Sequence, residues 1–126
     1  MSVAIIDYGA GNLRSVEKAF HQVGVNAEIT RDKSTIHAAK GVVLPGVGSF
    51  DAAINELRQL SLEGLIGEAI ALRKPFLGIC LGMQHLFENS EEGKQKGLAL
   101  FLEFQGRLHH AEIIADMQFA GRLNAR

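Results

Sequence analysis

The chain's one cysteine, Cys80, stands in Gly78-Ile79-Cys80-Leu81-Gly82, between a short apolar run and an amphipathic stretch. Gly-x-Cys-x-Gly is the spacing of a nucleophile elbow, with sulfur in place of the serine oxygen. A nucleophile on a tight strand-to-helix turn sits in strained backbone, and glycines two before and two after let that turn close. The helix that follows would aim its free N–H groups and positive end at the sulfur, an environment that favours the reactive thiolate. Spacing alone supports a second reading equally: a buried structural cysteine between incidental glycines, since free cysteine is often buried.

Thiol attack on an amide or ester carbonyl creates an oxyanion that needs two preorganised donors. In an elbow one donor is the backbone N–H just after the nucleophile, here that of Leu81. The second must come from a neighbouring strand's loop, and Pro45-Gly46-Val47-Gly48 is suited to it because glycines leave N–H groups unobstructed. Taken alone, that segment reads better as an ordinary strand-to-helix turn.

The thiol also needs a base, usually a histidine held by a carboxylate. The candidates are His21, His37, His85, His109 and His110. His21 reads as a surface residue of the first helix, and His37 falls in a poorly defined connection. His85 lies little more than a helical turn past Cys80, pointing away from it. His110 and Glu112 have the spacing that puts two side chains on one face of a strand, but their surroundings read as the start of a helix. Scattered histidines give metal binding no support. Gly9-Ala10-Gly11 is a partial dinucleotide fingerprint, but Arg14 occupies the third glycine position, so a tight turn is the better reading.

The elements that must position these residues follow from the apolar pattern. Val3–Ile6, Gly41–Leu44 and Phe76–Ile79 are short apolar runs expected to be strands, the first without alternation, as in a parallel sheet covered on both faces, and Ala27–Thr30 is expected to be the second strand in chain order. Leu13–Val23 is expected to be a helix on the spacing of Leu13, Val16, Ala19, Phe20 and Val23, stopped at Gly24. Asp32–Ala39 is weakly helical. Phe50–Leu60 and Leu62–Leu72 are expected to be helices separated by Ser61, a candidate cap. Leu81–Phe87 is the helix after the cysteine. Strands alternating with helices give an α/β fold with an open, mostly parallel sheet. Ligands of such sheets bind beyond the carboxyl ends of the strands, where the Asp7–Asn12 loop, the Pro45–Gly48 loop and Cys80 all fall.

At 126 residues the chain is about one domain, and its 47% hydrophobic and 21% charged composition is that of a globular protein. A net charge of −1 gives no electrostatic basis for holding nucleic acid or an anionic membrane. A single cysteine excludes an internal disulfide, and a reduced, cytoplasmic setting is the default. The N-terminus lacks the basic n-region of a signal peptide, and no apolar run approaches the ~18 residues of a membrane span.

With Asp7-Tyr8-Gly9-Ala10-Gly11-Asn12, Pro45-Gly46-Val47-Gly48 and Gly78-Ile79-Cys80-Leu81-Gly82-Met83-Gln84 in this order, the chain resembles the class I glutamine amidotransferases. DYGAGNLRSV, LPGVGSF and KPFLGICLGMQ narrow the resemblance to the glutaminase subunits that serve imidazole glycerol phosphate synthases in histidine biosynthesis. It covers about Val3 to Leu98. The resemblance implies that Cys80 attacks the side-chain amide of glutamine and forms a glutamyl thioester. It implies that Leu81 and the Gly46–Gly48 loop stabilise the oxyanion, and that Gln84 helps hold the substrate. The ammonia would pass to a cyclase subunit with a (βα)₈ barrel, in a heterodimer that needs no cofactor or metal. The DYGAGN loop would face that partner, which gives Tyr8 and Asn12 an interface role.

The family completes its triad with a late His-Pro-Glu, and this sequence has none. We therefore expect residues 1–98 to be the N-terminal part of an amidotransferase domain. Residues 99–126 form an unassigned tail, as a frameshifted or otherwise aberrant end would produce, and His110 and Glu112 inherit no triad role. Reading the coding DNA in its other frames tests this expectation. Missing strands would leave sheet edge and apolar surface exposed, with self-association as the consequence. The alternatives are an inactive remnant or partner-binding module that keeps the elbow, or the amidotransferase subunit of a paralogous pathway. A DJ-1-like cysteine protein fits PGVG with CLGMQ less well.

Overall fold

The structure is a computed structural model, and it describes residues 2–86. Its order is β1 (Ser2–Ile6), α1 (Leu13–Gln22), β2 (Asn26–Thr30), α2 (Lys33–Ala38), β3 (Gly41–Leu44), α3 (Phe50–Gln59), α4 (Glu63–Ala71), β4 (Phe76–Gly78) and α5 (Leu81–Gln84). The four strands form one parallel sheet in the order β2-β1-β3-β4, the α/β architecture expected from the sequence. Each parallel pair requires a crossover, and the intervening helices supply it.

Alternation within the strands divides the core in two. Ala4, Ile6, Val42 and Leu44 face a large cluster that includes Ile36, Phe50, Ile54, Leu57, Leu62 and Ile66 from the α2–α4 side. Val3, Ile5, Ala27 and Val43 face the other way, toward Leu13, Val16 and Phe20 of α1. Among the described residues α1 is the helix on that second face, and β4 is the sheet edge beyond β3. Leu77, in register with Val43, is therefore 39% exposed.

Three local expectations change. Val23 is exposed rather than buried with its helix, because it is the C-cap of α1 and the chain turns away there, with Gly24 at φ +80°. Ser61 caps nothing: it lies at φ +54°, the N-cap position of α4 is Leu62, and no side chain bonds that helix start. The connection at residues 32–39 is better ordered than its pattern suggested, because the Asp32 carboxylate accepts the Thr35 N–H at 2.8 Å and caps α2. The sequence also offers a solvated loop at 89–97, an apolar run at 98–104 that suits a strand or nearly as well a helix, and helical spacing at 111–119; these, with the expected helix end at Phe87, lie outside the described residues.

Candidate active site

β3 and β4 pair in register with Leu44 opposite Gly78, so the segments that leave their carboxyl ends emerge side by side. One is the Pro45–Gly48 turn and the other is Ile79-Cys80. The Ile79 N–H extends the ladder by one bond to the Leu44 carbonyl, at 3.0 Å, before the chain reverses at Cys80. The sheet changes winding direction between β1 and β3, the position at which a parallel sheet opens a crevice.

Cys80 is exposed and lies at φ +54°, ψ −120°, a conformation rarely adopted by a residue with a side chain. Its glycines are required by close approach. A β-carbon on Gly78 would stand 2.7 Å from the Met83 Cα. One on Gly82 would overlap the Leu44 carbonyl oxygen and stand 2.6 Å from its carbon. One on Gly46 would stand 2.6 Å from the Gly82 nitrogen. The chain doubles back against β3 at distances only glycine tolerates, so an exposed cysteine in strained backbone replaces the reading of a buried structural one. Among the described residues α5 runs only over Leu81–Gln84, so its positive end is that of barely one turn.

The Leu81 N–H, the expected oxyanion donor, donates to the Gly46 carbonyl at 3.3 Å. To face a substrate oxygen it must first lose that bond. Gly48, at φ +99°, has open space where a side chain would stand, and neighbouring Val47 is exposed. Gln84 closes α5 and is half-buried.

Tyr8 is placed differently from the expectation. It is 1% exposed and its hydroxyl donates to the Pro45 carbonyl, so it meets the Pro45–Gly48 turn rather than a partner protein. The chain leaving β1 folds its ring over the carboxyl end of β3. Burial, with a smaller contribution from Cys80, pushes its pKa upward. Asn12 is exposed, in left-handed backbone at φ 70°. Asp7 accepts from Arg31 at 2.8 Å, and that hydrogen bond holds its carboxyl below the usual range.

The histidines do not gather at Cys80. His21 lies in the last turn of α1 and bonds the Ala27 carbonyl at 3.0 Å, at the start of β2. His37 lies in the last turn of α2 and pairs with Glu68 of α4 at 3.4 Å, with Lys74 bonded to its carbonyl. His37 leads into β3 and Glu68 into β4, so the pair lies toward the amino-terminal ends of these strands, whereas Cys80 follows the carboxyl end of β4. Histidine–carboxylate chemistry is thus present but out of reach of the sulfur. Sequence gave no sign of it, because two helices bring together residues far apart in the chain. His85 is fully buried against Phe50 and Tyr8, with ring centroids 4.9 and 6.1 Å away, and burial pushes its pKa down to about 4. His109, His110 and Glu112 lie outside the described residues. Among the described residues no three His, Cys, Asp or Glu side chains group as metal ligands.

The pattern that this geometry embodies is shared widely. The model of the family described as glutamine amidotransferase class-I matches residues 4–119, past Leu98 and into the tail. The chain belongs to the class I glutamine amidotransferase family. An imidazole glycerol phosphate synthase subunit HisH from Trichodesmium erythraeum is 52% identical over 100 residues, 79% of this chain and 47% of that protein. One from Rhodopirellula baltica is 57% identical over 91 residues, 72% of this chain and 44% of that protein. The chain therefore spans about half the length of the curated relatives it matches. A crystal structure titled as a glutamine amidotransferase superposes with a TM-score of 0.65 at 20% identity, over 78% of this chain and 52% of that one, which shows the shared fold. Among the described residues no helix is long and apolar enough to cross a membrane.

Proposed function

We propose that this amidotransferase chain provides the glutaminase nucleophile of an imidazole glycerol phosphate synthase, releasing ammonia from glutamine for a cyclase subunit in histidine biosynthesis. The observation that carries the reading is the exposed Cys80 at φ +54°, locked by Gly46, Gly78 and Gly82 against the Pro45–Gly48 turn. The identity to synthase subunits adds the substrate and partner class.

The Cys80 sulfur adds to the carbonyl carbon of the glutamine side chain, and the carbonyl electron pair moves onto oxygen. Leu81 N–H, freed from Gly46, and an N–H of the Gly46–Gly48 loop stabilise that charge, while Gln84 helps hold the substrate. Collapse breaks the C–N bond, ammonia leaves with a proton from the medium or a general acid, and a glutamyl thioester remains. Water then cleaves the thioester to glutamate and regenerates the thiol. Tyr8 supports the loop, and the exposed Asn12 stays available to a (βα)₈-barrel cyclase partner. None of these steps calls on a metal or an organic cofactor.

A second reading is a module that keeps the elbow and binds a partner without turnover. It is favoured by the Leu81 N–H being engaged by Gly46, and by the one described histidine–carboxylate pair lying toward the amino-terminal ends of β3 and β4, away from Cys80. Glutamate release in the presence of a cyclase subunit, from wild type and from Cys80→Ala, separates the two. Release lost in the variant supports the glutaminase, and no release from wild type supports the binding module.

A further inference from the structure

We infer that Tyr8 is a positioning residue: its hydroxyl pins the Pro45 carbonyl and so holds the next carbonyl, that of Gly46, across the Leu81 amide. The inference rests on the proposed oxyanion role of Leu81, but the contacts that carry it are independent of any activity. The hydroxyl of Tyr8 donates to the Pro45 carbonyl. A β-carbon on Gly46 would stand 2.6 Å from that hydroxyl and 3.0 Å from the Leu81 Cβ, so the peptide at Gly46 is wedged between Tyr8 and the elbow. The Leu81 N–H reaches the Gly46 carbonyl at 3.3 Å. These contacts form one path from the end of β1, over the turn after β3, to the donor beside Cys80.

The wedge has a firm back. Tyr8 is 1% exposed, and the buried His85 ring stands edge-on to it at 77°. The His85 backbone is itself tied to the elbow, its main-chain N–H donating to the Leu81 carbonyl at 3.0 Å. The ring therefore has little room to swing, and the hydroxyl has one acceptor on the turn. Rotation of the Gly46 peptide, which frees Leu81, must proceed about a pivot that Tyr8 holds. The Gly46 side has no side chain to resist that rotation, so the restraint on it lies in the Tyr8–Pro45 bond. Tyr8 then governs how readily the Leu81 amide becomes available, without touching substrate.

Hydrogen exchange of the full chain tests this, reading Leu81 against the central sheet amides of Ile5 and Val43. In Tyr8→Phe the Leu81 amide is expected to exchange about tenfold faster, the scale of one lost hydrogen bond, while Ile5 and Val43 keep their protection. Unchanged Leu81 exchange in a folded Tyr8→Phe overturns the inference. If Tyr8→Phe loosens the whole sheet, Tyr8→4-aminophenylalanine, which keeps a donor, is compared with Tyr8→4-methylphenylalanine, which only fills the space. Leu81 protection kept in the first and lost in the second supports the pivot, and equal protection in both overturns it. The readout is separate from turnover: a chain that releases no glutamate refutes the proposed function and leaves the Leu81 comparison to decide the role of Tyr8.

Discussion

Acid is expected to weaken this fold at His85 in a way that can be isolated by substitution. Its ring is fully buried between Phe50 and Tyr8, and among the described residues neither ring nitrogen has a hydrogen-bond partner. Burial disfavours the imidazolium and pushes the pKa from 6.5 down to about 4. The unfolded chain keeps the ordinary value, so folding favours the neutral ring. The stability that this confers is complete above pH 6.5 and is lost as pH falls toward about 4. The full gap corresponds to roughly 3 kcal/mol, of which about 2 kcal/mol is gone at about pH 5. His85→Leu removes the titration and two unpaired buried nitrogens, a change that is near neutral or stabilising in itself. The chain has one tyrosine and no tryptophan, so intrinsic fluorescence reads Tyr8, directly beside His85. Urea unfolding followed by that signal at about pH 7.5 and about pH 5 is expected to show wild type losing about 2 kcal/mol more than His85→Leu. Comparing the two proteins cancels the other titrating groups. Equal losses in both refute the reasoning.

Other perturbations read other parts of the structure. Gly82→Ala forces a β-carbon onto the Leu44 carbonyl, so a loss of more than about 4 kcal/mol, or failure to fold, is expected in urea unfolding; a loss under about 1 kcal/mol means that the elbow does not press on β3. Leu77 is 39% exposed on β4, an outermost strand among the described residues, and sedimentation is expected to show concentration-dependent self-association that Leu77→Lys reduces; a monodisperse wild type contradicts this.

Much of the fold can be read from runs of residues. Gly41–Leu44 matches its strand residue for residue, because a uniformly apolar run between Lys40 and Pro45 leaves no other boundary. The elbow was legible for a similar reason: glycine at both flanks of Cys80 answers a local steric need, and close approach to Leu44 and Met83 is that need. Tyr8 was not legible. It sits in a turn-rich stretch whose composition suggests an exposed loop, and only the sheet order shows that the chain leaving β1 crosses toward β3. The His37–Glu68 pair and the burial of His85 were hidden likewise, since both depend on how helices pack across the sheet. The engagement of Leu81 by Gly46 is a hydrogen bond between two backbones, on which side-chain identity is silent.

The central claim is that Cys80 is a nucleophile addressed to glutamine, and a chloromethyl ketone analogue of glutamine tests it most directly. The full chain is treated with the analogue, with and without excess glutamine, and the adduct is located by peptide mass spectrometry. A single adduct on Cys80, slowed by glutamine but not by glutamate, is the expected result. An unmodified Cys80, or alkylation there that glutamine does not slow, contradicts the account.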